Sequence, residues 1–425
     1  KHRIVKEREQ EENKMLQGKT VLLGVTGGIA AYKMPNVARM LKKMHCNVHV
    51  LMTQNATNFI TATTFETLTG NKCLIDTFDR NFEFSVEHVA LAKQADLVLL
   101  APATANVIGK IANGIADDML TTTVMACTCK VLVAPAMNHN MYHNSIVQEN
   151  LEKLKRHGYE MIDPVCGMLA NGDTGDGKLP SEETLVEYVL RELAFEKDMQ
   201  GLKVLVTAGP TQEAIDPVRF ISNHSTGKMG YAIAKNAMLR GAEVTLVTGR
   251  TALEPPMFVK TVPVTSAKDM YQAVMECAKE QDIIVKAAAV ADYTPAHTAD
   301  EKIKKSEGEL SLALEKTTDI LAELGKNKGN TVLCGFSMET EHMLENSRAK
   351  RKKTHLGNSR AKLGKKHLDM VAANNLKVAG AGFQGDTNVL TLITEDWEKE
   401  LALMSKDEAA KCLLDELLKI KKNKK

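Results

Sequence analysis

The chain has few of the features that mark membrane proteins or nucleic-acid-binding proteins. It contains no run of about 18 consecutive apolar residues, so the sequence predicts no membrane-spanning helix. The formal net charge is only +2, and aromatic residues make up 4% of the chain, with a single Trp. Nucleic-acid-binding proteins instead carry basic patches and aromatic stacking surfaces. We therefore expect neither a membrane nor a nucleic acid as a partner.

The cysteine content does not support a disulfide-stabilised fold. The eight cysteines are scattered through 425 residues without a repeated spacing. Such usage is typical of a reducing compartment, so we expect a cytoplasmic protein. Cys127 and Cys129 are the only close pair in the sequence, and without further ligands they do not predict a metal site. Residues 1–17 are highly charged with little apolar periodicity, which predicts a tail without a signal peptide.

The body of the chain carries the pattern of an α/β protein. Hydrophobic residues make up 44% and charged residues 25%, as in ordinary globular proteins. In the first half, nearly continuous apolar strands alternate with helical segments, which predicts a parallel, doubly wound sheet. The predicted strands are residues 20–25, 47–52, 96–101 and 130–134, and the first predicted helix is residues 29–43.

Two features mark the end of this first half. Residues 171–177 are too rich in glycine for a helix or a strand, so we expect an exposed, mobile loop there. Ser181 predicts the N-cap of a helix that runs to about residue 195. The polar residues 196–201 predict a connection, so we place a first domain at 18–195 and a second at 196–425.

The same alternation starts again in the second half. The predicted strands are residues 203–207, 243–247, 282–287, 331–336 and 368–373, and the predicted helices are 229–240, 266–280 and 407–419. The fold class is therefore α/β, with two doubly wound, Rossmann-like domains. Residues 346–350 recur as 358–362, which predicts a short tandem insertion.

Each half contains a polar loop with glycines directly after an apolar strand. Residues 24–33 form the first of these loops. The second, residues 216–230, contains Asn223, His224, Ser225, Thr226 and Lys228. Backbone N–H groups and helix N-termini in such loops bind phosphate. The sequence therefore predicts two separate nucleotide sites.

Six motifs, in order along the chain, connect this sequence with a known family. The first half contains Gly27-Gly-Ile-Ala-Ala-Tyr-Lys33, Ala101-Pro-Ala-Thr-Ala-Asn106 and Pro135-Ala-Met-Asn-His-Asn-Met141. The second half contains Asp216-Pro-Val-Arg-Phe-Ile-Ser-Asn-His-Ser225, Ala288-Ala-Val-Ala-Asp-Tyr293 and Glu301-Lys-Ile-Lys-Lys305. From about residue 18 onward the chain resembles the bacterial bifunctional family of coenzyme A biosynthesis. In that family a phosphopantothenoylcysteine decarboxylase is fused to a phosphopantothenate–cysteine ligase.

For the first half, the resemblance implies a flavodoxin-like domain that decarboxylates a cysteinyl substrate with FMN, the cofactor that accepts the electrons. His88 matches the family's catalytic histidine, and Asn138 matches a residue that binds the substrate carboxylate. Without the resemblance, His88 would be interpreted as a solvated helix residue and Asn138 as a turn or cap residue. The residues expected around FMN are Gly27, Gly28, Ile29, Thr53, Thr104 and Asn106.

One catalytic position departs from the family pattern. Family members often carry Cys where this chain has Asn171, and that thiol supplies a proton when the reduced flavin returns its hydride. The amide of Asn171 is not a practical acid. Two explanations stay open: another donor acts, such as water or Cys166, or the final reduction is impaired.

For the second half, the resemblance implies a ligase that activates 4′-phosphopantothenate with CTP as an acyl-cytidylate, which the amine of L-cysteine then attacks. Such transfers depend on positioning and on neutralised phosphate charge. Lys302 matches the charge-stabilising lysine, otherwise a solvated loop residue, and Asn223 matches the residue linked to the intermediate. The expected nucleotide-binding residues are Ala287, Ala288, Asp292, Lys302, Thr318, Asp319, Ile320, Leu321, Phe336, Lys362 and Lys366. A triphosphate normally brings Mg²⁺.

The family pattern also implies a homo-oligomer, a dodecamer of decarboxylase trimers and ligase dimers, whose other partners are its small-molecule substrates. No metal ligands can be assigned from the sequence. His139 and His143 have the i,i+4 spacing of residues on one helix face, but a third ligand is missing from the motif.

Two other functions stay open. A nicotinamide-dependent oxidoreductase would use the glycine turn at Gly27, but no acidic residue follows the second strand to bind a ribose. The other is a flavoprotein that has lost catalysis and serves as a binding subunit. Asn171 leaves this second function open, whereas His88 and Asn138 favour an active enzyme.

Overall fold

The computed structural model describes residues 14–77, 87–168, 172, 174–304, 311–339, 363–375 and 385–424. These residues form two compact units that divide between Phe195 and Glu196. Several sequence predictions fall outside the described residues: Asn171, Lys362, the tandem repeat of residues 346–362 and residues 1–13 of the predicted tail.

The first unit is built on a five-stranded parallel sheet. In spatial order its strands are β2 (Asn47–Met52), β1 (Thr20–Val25), β3 (Leu97–Ala103), β4 (Lys130–Pro135) and β5 (Glu160–Met161). Interior residues such as Leu22, Leu99 and Val133 are fully buried. A parallel sheet covered on both faces requires such continuous apolar strands. The predicted parallel α/β arrangement is confirmed.

Eight helices of the described residues accompany this sheet. They are α1 (Met34–Lys43), α2 (Ala62–Thr69), α3 (Glu87–Gln94), α4 (Ala105–Ala112), α5 (Met119–Ala126), α6 (His139–Tyr142), α7 (Ser145–Arg156) and α8 (Glu182–Leu193). Ile108, Leu120 and Leu151, from α4, α5 and α7, belong to one core cluster with the sheet. As predicted, Ser181 caps α8, by accepting a hydrogen bond from the backbone of Thr184.

The prediction of one continuous helix over residues 29–43 is wrong. Ile29–Lys33 form a 3₁₀ turn, and α1 begins only at Met34. Pro35 lies in the first turn of α1. Backbone N–H groups in the first turn have no partner within the helix, so the lack of an N–H in proline costs no hydrogen bond there. The proline therefore favours a new helix start at this point.

A short hairpin replaces part of the predicted glycine-rich loop. Strand β6 (Val165–Met168) pairs in antiparallel fashion with β7 (Thr174–Lys178), so the loop prediction is wrong for residues 174–177. Gly177 has a φ of 123°, and a Cβ atom there would stand 2.3 Å from the carbonyl oxygen of Met137. This glycine is needed for close packing against neighbouring backbone, which composition alone did not distinguish from a free loop.

The second unit contains a larger, mixed sheet. In spatial order its strands are β12 (Lys260–Pro263), β11 (Glu243–Thr248), β8 (Lys203–Ala208), β13 (Ile283–Lys286), β16 (Val332–Glu339), β17 (Met370–Asn375), β19 (Leu390–Ile393) and β20 (Glu398–Glu400). The first six strands are parallel, and β19 and β20 add an antiparallel edge that the sequence pattern did not predict. All five strands predicted for this half are present, with shifted ends.

Three two-stranded pairs complete the second unit. They join β9 (Gln212–Ala214) to β10 (Phe220–Ser222), β14 (Tyr293–Pro295) to β15 (Leu314–Lys316), and β18 (Thr387–Asn388) to β21 (Met404–Ser405). All three pairs are antiparallel, and each lies outside the main sheet.

Four α-helices of the second unit lie wholly within the described residues: α9 (Lys228–Leu239), α10 (Ala267–Cys277), α11 (Ile320–Lys326) and α12 (Lys406–Asn423). Ser266 and Ser405 begin α10 and α12 with reciprocal capping boxes. Gly227 caps α9 in a left-handed conformation, with a φ of 79°. Across the described residues of both units, every helix is too short or too polar to cross a lipid bilayer.

Candidate active sites

Three polar turns of the first unit meet at one edge of its sheet. Strands β1, β2 and β3 are parallel neighbours, so the turns after their carboxyl ends lie side by side. The buried Thr26 hydroxyl donates to the carbonyl of Pro102 at 2.6 Å and accepts from the N–H of Thr104 at 3.0 Å. This side chain joins the turn that contains Gly27 and Gly28 to the turn that contains Thr104.

The turn geometry suits a phosphate-bearing ligand. A Cβ atom at Gly27 would stand 2.5 Å from the Cβ of Asn55, so the backbone passes too close for a side chain. The Oγ1 atom of Thr53 is buried and has no hydrogen-bond partner among the described residues. An orphaned buried hydroxyl is costly, and a phosphate oxygen of FMN would satisfy it. Ile29, exposed by 56%, provides an apolar surface at the same turn.

Thr104 and Asn106 lie at the start of α4. Thr104 is the N-cap residue, but its hydroxyl makes no capping hydrogen bond to the helix backbone. Asn106 is the second residue of α4, at the same edge of the sheet as the turns after β1 and β2. Both polar side chains therefore lie where ligands bind in open α/β sheets.

Asn138 lies three residues after the end of β4, at the start of α6. Its Oδ1 atom accepts the backbone N–H of Asn140 at 2.9 Å, so the cap role that the residue type alone suggests is present. The preceding residue, Met137, donates its N–H to the carbonyl of Gly177 at 3.0 Å. The β6–β7 hairpin thus packs against the turn that carries Asn138.

The remaining first-half candidates do not belong to these turns. His88 is the second residue of α3, is half-buried, and is positioned by the packing of α3 against α5. Cys166, the alternative proton donor, is exposed on β6. Asn171 lies outside the described residues.

The second unit contains a cavity of about 410 Å³ at the carboxyl ends of its central strands. The predicted residues that line it are Asn223, Ala287, Ala288, Asp292, Thr318, Asp319, Ile320, Leu321, Phe336 and Lys366. Lys302 is not part of this lining, and Lys362 lies outside the described residues. The parallel topology collects segments far apart in sequence around one ligand-sized space.

Residues 287–291, which we call the alanine turn, follow β13 and form one wall of the cavity. Hydrogen bonds with two other segments fix this turn in place. The Thr211 hydroxyl accepts the N–H of Ala291 at 3.0 Å. Asn223 donates its side-chain Nδ2–H to the carbonyl of Ala289 at 3.0 Å. The loop that carries Asn223 and the alanine turn, which are far apart in sequence, are therefore in direct contact.

The start of α9 forms another wall of the cavity, which residues 227–230 line. Cβ atoms at Gly227 and Gly230 would stand 2.7 Å from the Cγ2 of Thr251 and 2.6 Å from the Cβ of Ala208. The two glycines therefore allow the helix to begin close to the end of β8. A helix N-terminus in this position favours an anionic ligand.

Four lysines line the cavity: Lys228, Lys286, Lys366 and Lys406. Lys228 pairs with Asp386 at 2.6 Å, and Lys366 pairs with Asp319 at 2.7 Å. Burial is the largest influence on the pKa of Asp319 and raises it, but the hydrogen bonds from Lys366 and the Ala322 N–H, together with the nearby lysine charges, outweigh burial, so the pKa is lowered. Lys406 is only 7% exposed, and burial together with the charge of Lys228 lowers its pKa.

Lys302 lies on an exposed segment that is anchored by its neighbour. The N–H of Ile303 donates to the carboxylate of Asp216 at 3.2 Å, and its carbonyl accepts from the Arg219 guanidinium at 2.8 Å. The position of Lys302 is therefore set by residues of the Asp216–Ser225 motif.

Comparison with known proteins identifies the family. Residues 199–420 match the family model described as DNA/pantothenate metabolism flavoprotein C-terminal domain, and residues 9–194 match the model described as Flavoprotein. The chain is 43% identical over 412 residues to the coenzyme A biosynthesis bifunctional protein CoaBC of Bacillus subtilis (strain 168), covering 96% of this chain and 98% of that relative. This chain belongs to the CoaBC family. The resemblance inferred from the six motifs is confirmed.

A second relative agrees with this assignment to the CoaBC family. The CoaBC protein of Vibrio vulnificus (strain CMCP6) is 44% identical over 397 residues, covering 92% of this chain and 95% of the relative. A solved C-terminal domain of a CoaBC protein is 38% identical and covers 54% of this chain and 100% of that domain, with a TM-score of 0.44. The chain is thus a bifunctional enzyme of coenzyme A biosynthesis with a flavoprotein domain. A flavoprotein domain favours a flavin-dependent enzyme over the nicotinamide-dependent oxidoreductase that the sequence had left open.

Some residues around the cavity of this CoaBC-family chain were missed by the sequence analysis: Lys286, Asn374, Asn388 and Lys406. Lys286 and Asn374 lie at the carboxyl ends of predicted strands, and that position could have identified them. Asn388 and Lys406 belong to the β18–β21 region, which has no clear strand pattern. Only tertiary structure brings them to the cavity.

Proposed function

We propose that the chain catalyses two successive steps of coenzyme A biosynthesis. The second unit joins 4′-phosphopantothenate to L-cysteine with CTP, and the first unit decarboxylates the product to 4′-phosphopantetheine with FMN. The observation that carries this proposal is the cavity of the second unit, which combines an alanine turn, a helix N-terminus and four lysines. These are the features that a nucleoside triphosphate requires.

The cavity provides separate surfaces for the two parts of CTP. The alanine turn admits the nucleoside close to the backbone, where Asp292 and Phe336 are available to its polar and apolar groups. Lys228, Lys366 and Lys406, which line the cavity, would neutralise the charge of the phosphates. The carboxylate of phosphopantothenate attacks the α-phosphate, pyrophosphate leaves, and an acyl-cytidylate forms. The amine of cysteine then attacks the acyl carbon and releases CMP.

Lys302 and Asn223 are the residues that we assign to the ligation reaction itself. The ammonium group of Lys302 would neutralise charge that develops at the α-phosphate. Asn223 lies against the alanine turn and would steady the acyl group during amine attack. Asp216 and Arg219 act through Ile303 and are positioning residues for Lys302.

Mg²⁺ would bind mainly through the triphosphate. In the described part of the second unit, no three carboxylate, thiolate or imidazole groups lie close enough together to form a protein-only site. Phosphate oxygens and water would supply its ligands. The ion would contribute neutralisation of phosphate charge.

In the first unit, Gly27, Gly28 and Thr53 would hold the FMN phosphate, and Ile29, Thr104 and Asn106 would contact the rest of the cofactor. Bound FMN supplies the electron acceptor that decarboxylation requires. Asn138 would bind the substrate carboxylate through its amide, and His88 would move a proton at the substrate. Because Asn171 cannot replace a thiol as an acid, water or Cys166 would supply the last proton.

Separate assays of the two units test this proposal. Full-length protein is incubated with phosphopantothenate, cysteine and CTP, and the products are identified by mass. Lys302→Ala should abolish amide formation and leave flavin bound, whereas Lys304→Ala, exposed on the same segment, should keep both. Equal loss of flavin and ligation in Lys302→Ala would contradict two independent sites. Protein that cannot be reconstituted with FMN and does not use CTP would overturn the whole proposal.

The Asn171 substitution favours a second candidate for the first unit, a flavin-binding subunit without decarboxylase activity. Carbon dioxide release from 4′-phosphopantothenoylcysteine distinguishes the two. An active unit releases carbon dioxide, and Asn171→Cys should accelerate formation of the reduced product because it restores a thiol acid. Release by neither protein would favour the binding subunit. Cytoplasmic location and a dodecamer of trimers and dimers stay predictions, and sedimentation tests the latter.

A further inference from the structure

Two histidines and an aspartate lie together on the first unit, beside the turn that carries Asn138. His139 and His143 bracket α6, and Asp176 comes from β7. One ligand atom from each lies within 4.8 Å of the other two. The Nε2 of His143 is 3.2 Å from the Oδ2 of Asp176, and the two imidazole rings are 4.4 Å apart. Within the ranges that the structure describes, this is the one such group of three.

We propose that His139, His143 and Asp176 bind a divalent metal ion of the zinc class. Two imidazoles and one carboxylate are a ligand set that suits Zn²⁺ and does not suit Mg²⁺ or Ca²⁺. With metal–ligand bonds of about 2.0–2.2 Å, tetrahedral zinc ligands stand about 3.3 Å from one another. His143 and Asp176 already have this separation. Water would occupy the fourth position.

The side chains have the freedom that coordination requires. His143 and Asp176 are 49% and 44% exposed, so both can rotate to close the remaining distance to His139. His139 is more constrained, because a Cβ atom at Gly175 would stand 2.8 Å from its Nδ1 atom. Its ring therefore packs directly on the backbone of β7, and the other two ligands adjust around it.

His139 also provides an independent indication of a ligand. Its Nδ1 atom is buried and has no hydrogen-bond partner among the described residues. Buried polar atoms of this kind are uncommon and often mark a site for an ion or another bound group. Coordination by the imidazole would give this side chain a strong polar interaction that its described neighbours do not supply.

A metal ion at this position would clamp the β6–β7 hairpin onto the turn that carries Asn138. The hairpin already contacts this turn through the hydrogen bond from Met137 to Gly177. Its two strands lead into residues 169–173, the position of Asn171 in the sequence. The ion would therefore hold the hairpin in place without taking part in electron transfer. This consequence does not depend on the ligation reaction.

Zinc binding by the metal-stripped, full-length protein tests the site. Equilibrium dialysis should find one Zn²⁺ equivalent per chain that His143→Ala and Asp176→Asn each lose. His157→Ala is the matched control, because His157 is exposed at the far end of α7, a 12-residue helix. That helix separates it from the cluster by about 18 Å. No bound zinc in the wild type, or zinc retained by all three variants, would overturn the proposal.

Hydrogen exchange tests the clamp separately. Saturating Zn²⁺ should slow amide exchange in residues 174–178 of the wild type and leave exchange in Asp176→Asn unchanged. Flavin binding by each variant confirms that the first unit is folded. Zinc bound to the wild type with no change in exchange of β7 would contradict the clamp.

Discussion

The carboxylate of Asp216 and the guanidinium of Arg219 form an ion pair at the base of the segment that carries Lys302. The Asp216 side chain is buried, and its Oδ2 atom accepts from the Nε of Arg219 at 2.9 Å. It also accepts the N–H of Ile303, whose carbonyl accepts from Arg219. One ion pair thus joins the β9–β10 turn to the residue after Lys302.

Asp216→Asn should reduce ligation and leave the flavin unit unaffected. The amide cannot replace a carboxylate that accepts from both the guanidinium and backbone N–H groups, so Ile303 and Lys302 should shift. A displacement of about 1 Å can cost about 100-fold in rate, and we expect a loss of that order in kcat for amide formation. Asp300→Asn, exposed nearby in the sequence, is the control. An unchanged rate in Asp216→Asn would mean that Lys302 is positioned in another way.

The same ion pair predicts a pH dependence of stability. The hydrogen bond from Arg219, followed by backbone N–H groups, holds the pKa of Asp216 well below its ordinary value. A lowered folded-state pKa gives stability that is complete above the unfolded value of about 3.9 and is lost as pH falls toward the folded value. The melting temperature of the second unit should therefore differ between wild type and Asp216→Asn by a constant amount near neutral pH. The difference should shrink below about pH 4, and a constant difference there would contradict this origin.

The sequence predicted the parallel sheets well because their strands are buried on both faces. Strands β1, β3 and β8 are nearly continuous apolar runs. Such runs lack the 3.6-residue apolar spacing that would indicate an amphipathic helix instead. Strand β7 was missed because its residues, Thr-Gly-Asp-Gly-Lys, have low strand propensity and are paired only through contacts with β6 and Met137. Tertiary packing overrides local preference in that segment.

The candidate sites were predictable in part for a similar reason. Thr53 directly follows a predicted strand, where open α/β sheets bind ligands, whereas Asp292 and Asn138 were predicted from the family motifs. Lys406 could not be found in this way, because it reaches the cavity from the start of the last helix. Asp176 was not associated with the two histidines, because it reaches them only through the unpredicted hairpin.

Thr53→Val should weaken FMN binding without destabilising the apoprotein. The hydroxyl is buried and has no hydrogen-bond partner among the described residues, so an apolar group of the same shape removes an unfavourable interaction. Loss of a hydrogen bond to a charged phosphate should raise the dissociation constant for FMN about tenfold or more. Quenching of FMN fluorescence measures it in deflavinated protein. Thr57→Val, which removes an exposed hydroxyl bonded to the Gln54 carbonyl, is the matched control.

Weaker FMN binding in Thr57→Val than in Thr53→Val would contradict the proposed phosphate contact. So would a melting temperature of apo Thr53→Val clearly below that of the wild type, because it would show that the hydroxyl has a structural role. The two variants differ from wild type by the same chemical change, so position alone distinguishes them.

Lys406 is a buried cation at the N-terminus of a helix, where the helix dipole disfavours positive charge. Burial comes first among the causes that lower its pKa, and the nearby charge of Lys228 adds to it. A lysine whose folded-state pKa is lowered costs stability wherever it is protonated in the folded protein, and this cost disappears as pH rises through the unfolded-state pKa. A bound triphosphate would offset the cost by pairing with both lysines.

Lys406→Gln should therefore weaken CTP use without lowering the stability of the nucleotide-free second unit. Glutamine keeps a donor for the Gly385 carbonyl, to which Lys406 donates, but loses the charge. A charge-assisted hydrogen bond contributes about 1.5–3 kcal/mol, so the KM for CTP should rise roughly tenfold or more. Lys411→Gln, exposed on the same helix, should leave KM unchanged. An unaltered KM together with a lower melting temperature in Lys406→Gln would mean that the lysine stabilises the fold and does not contact nucleotide.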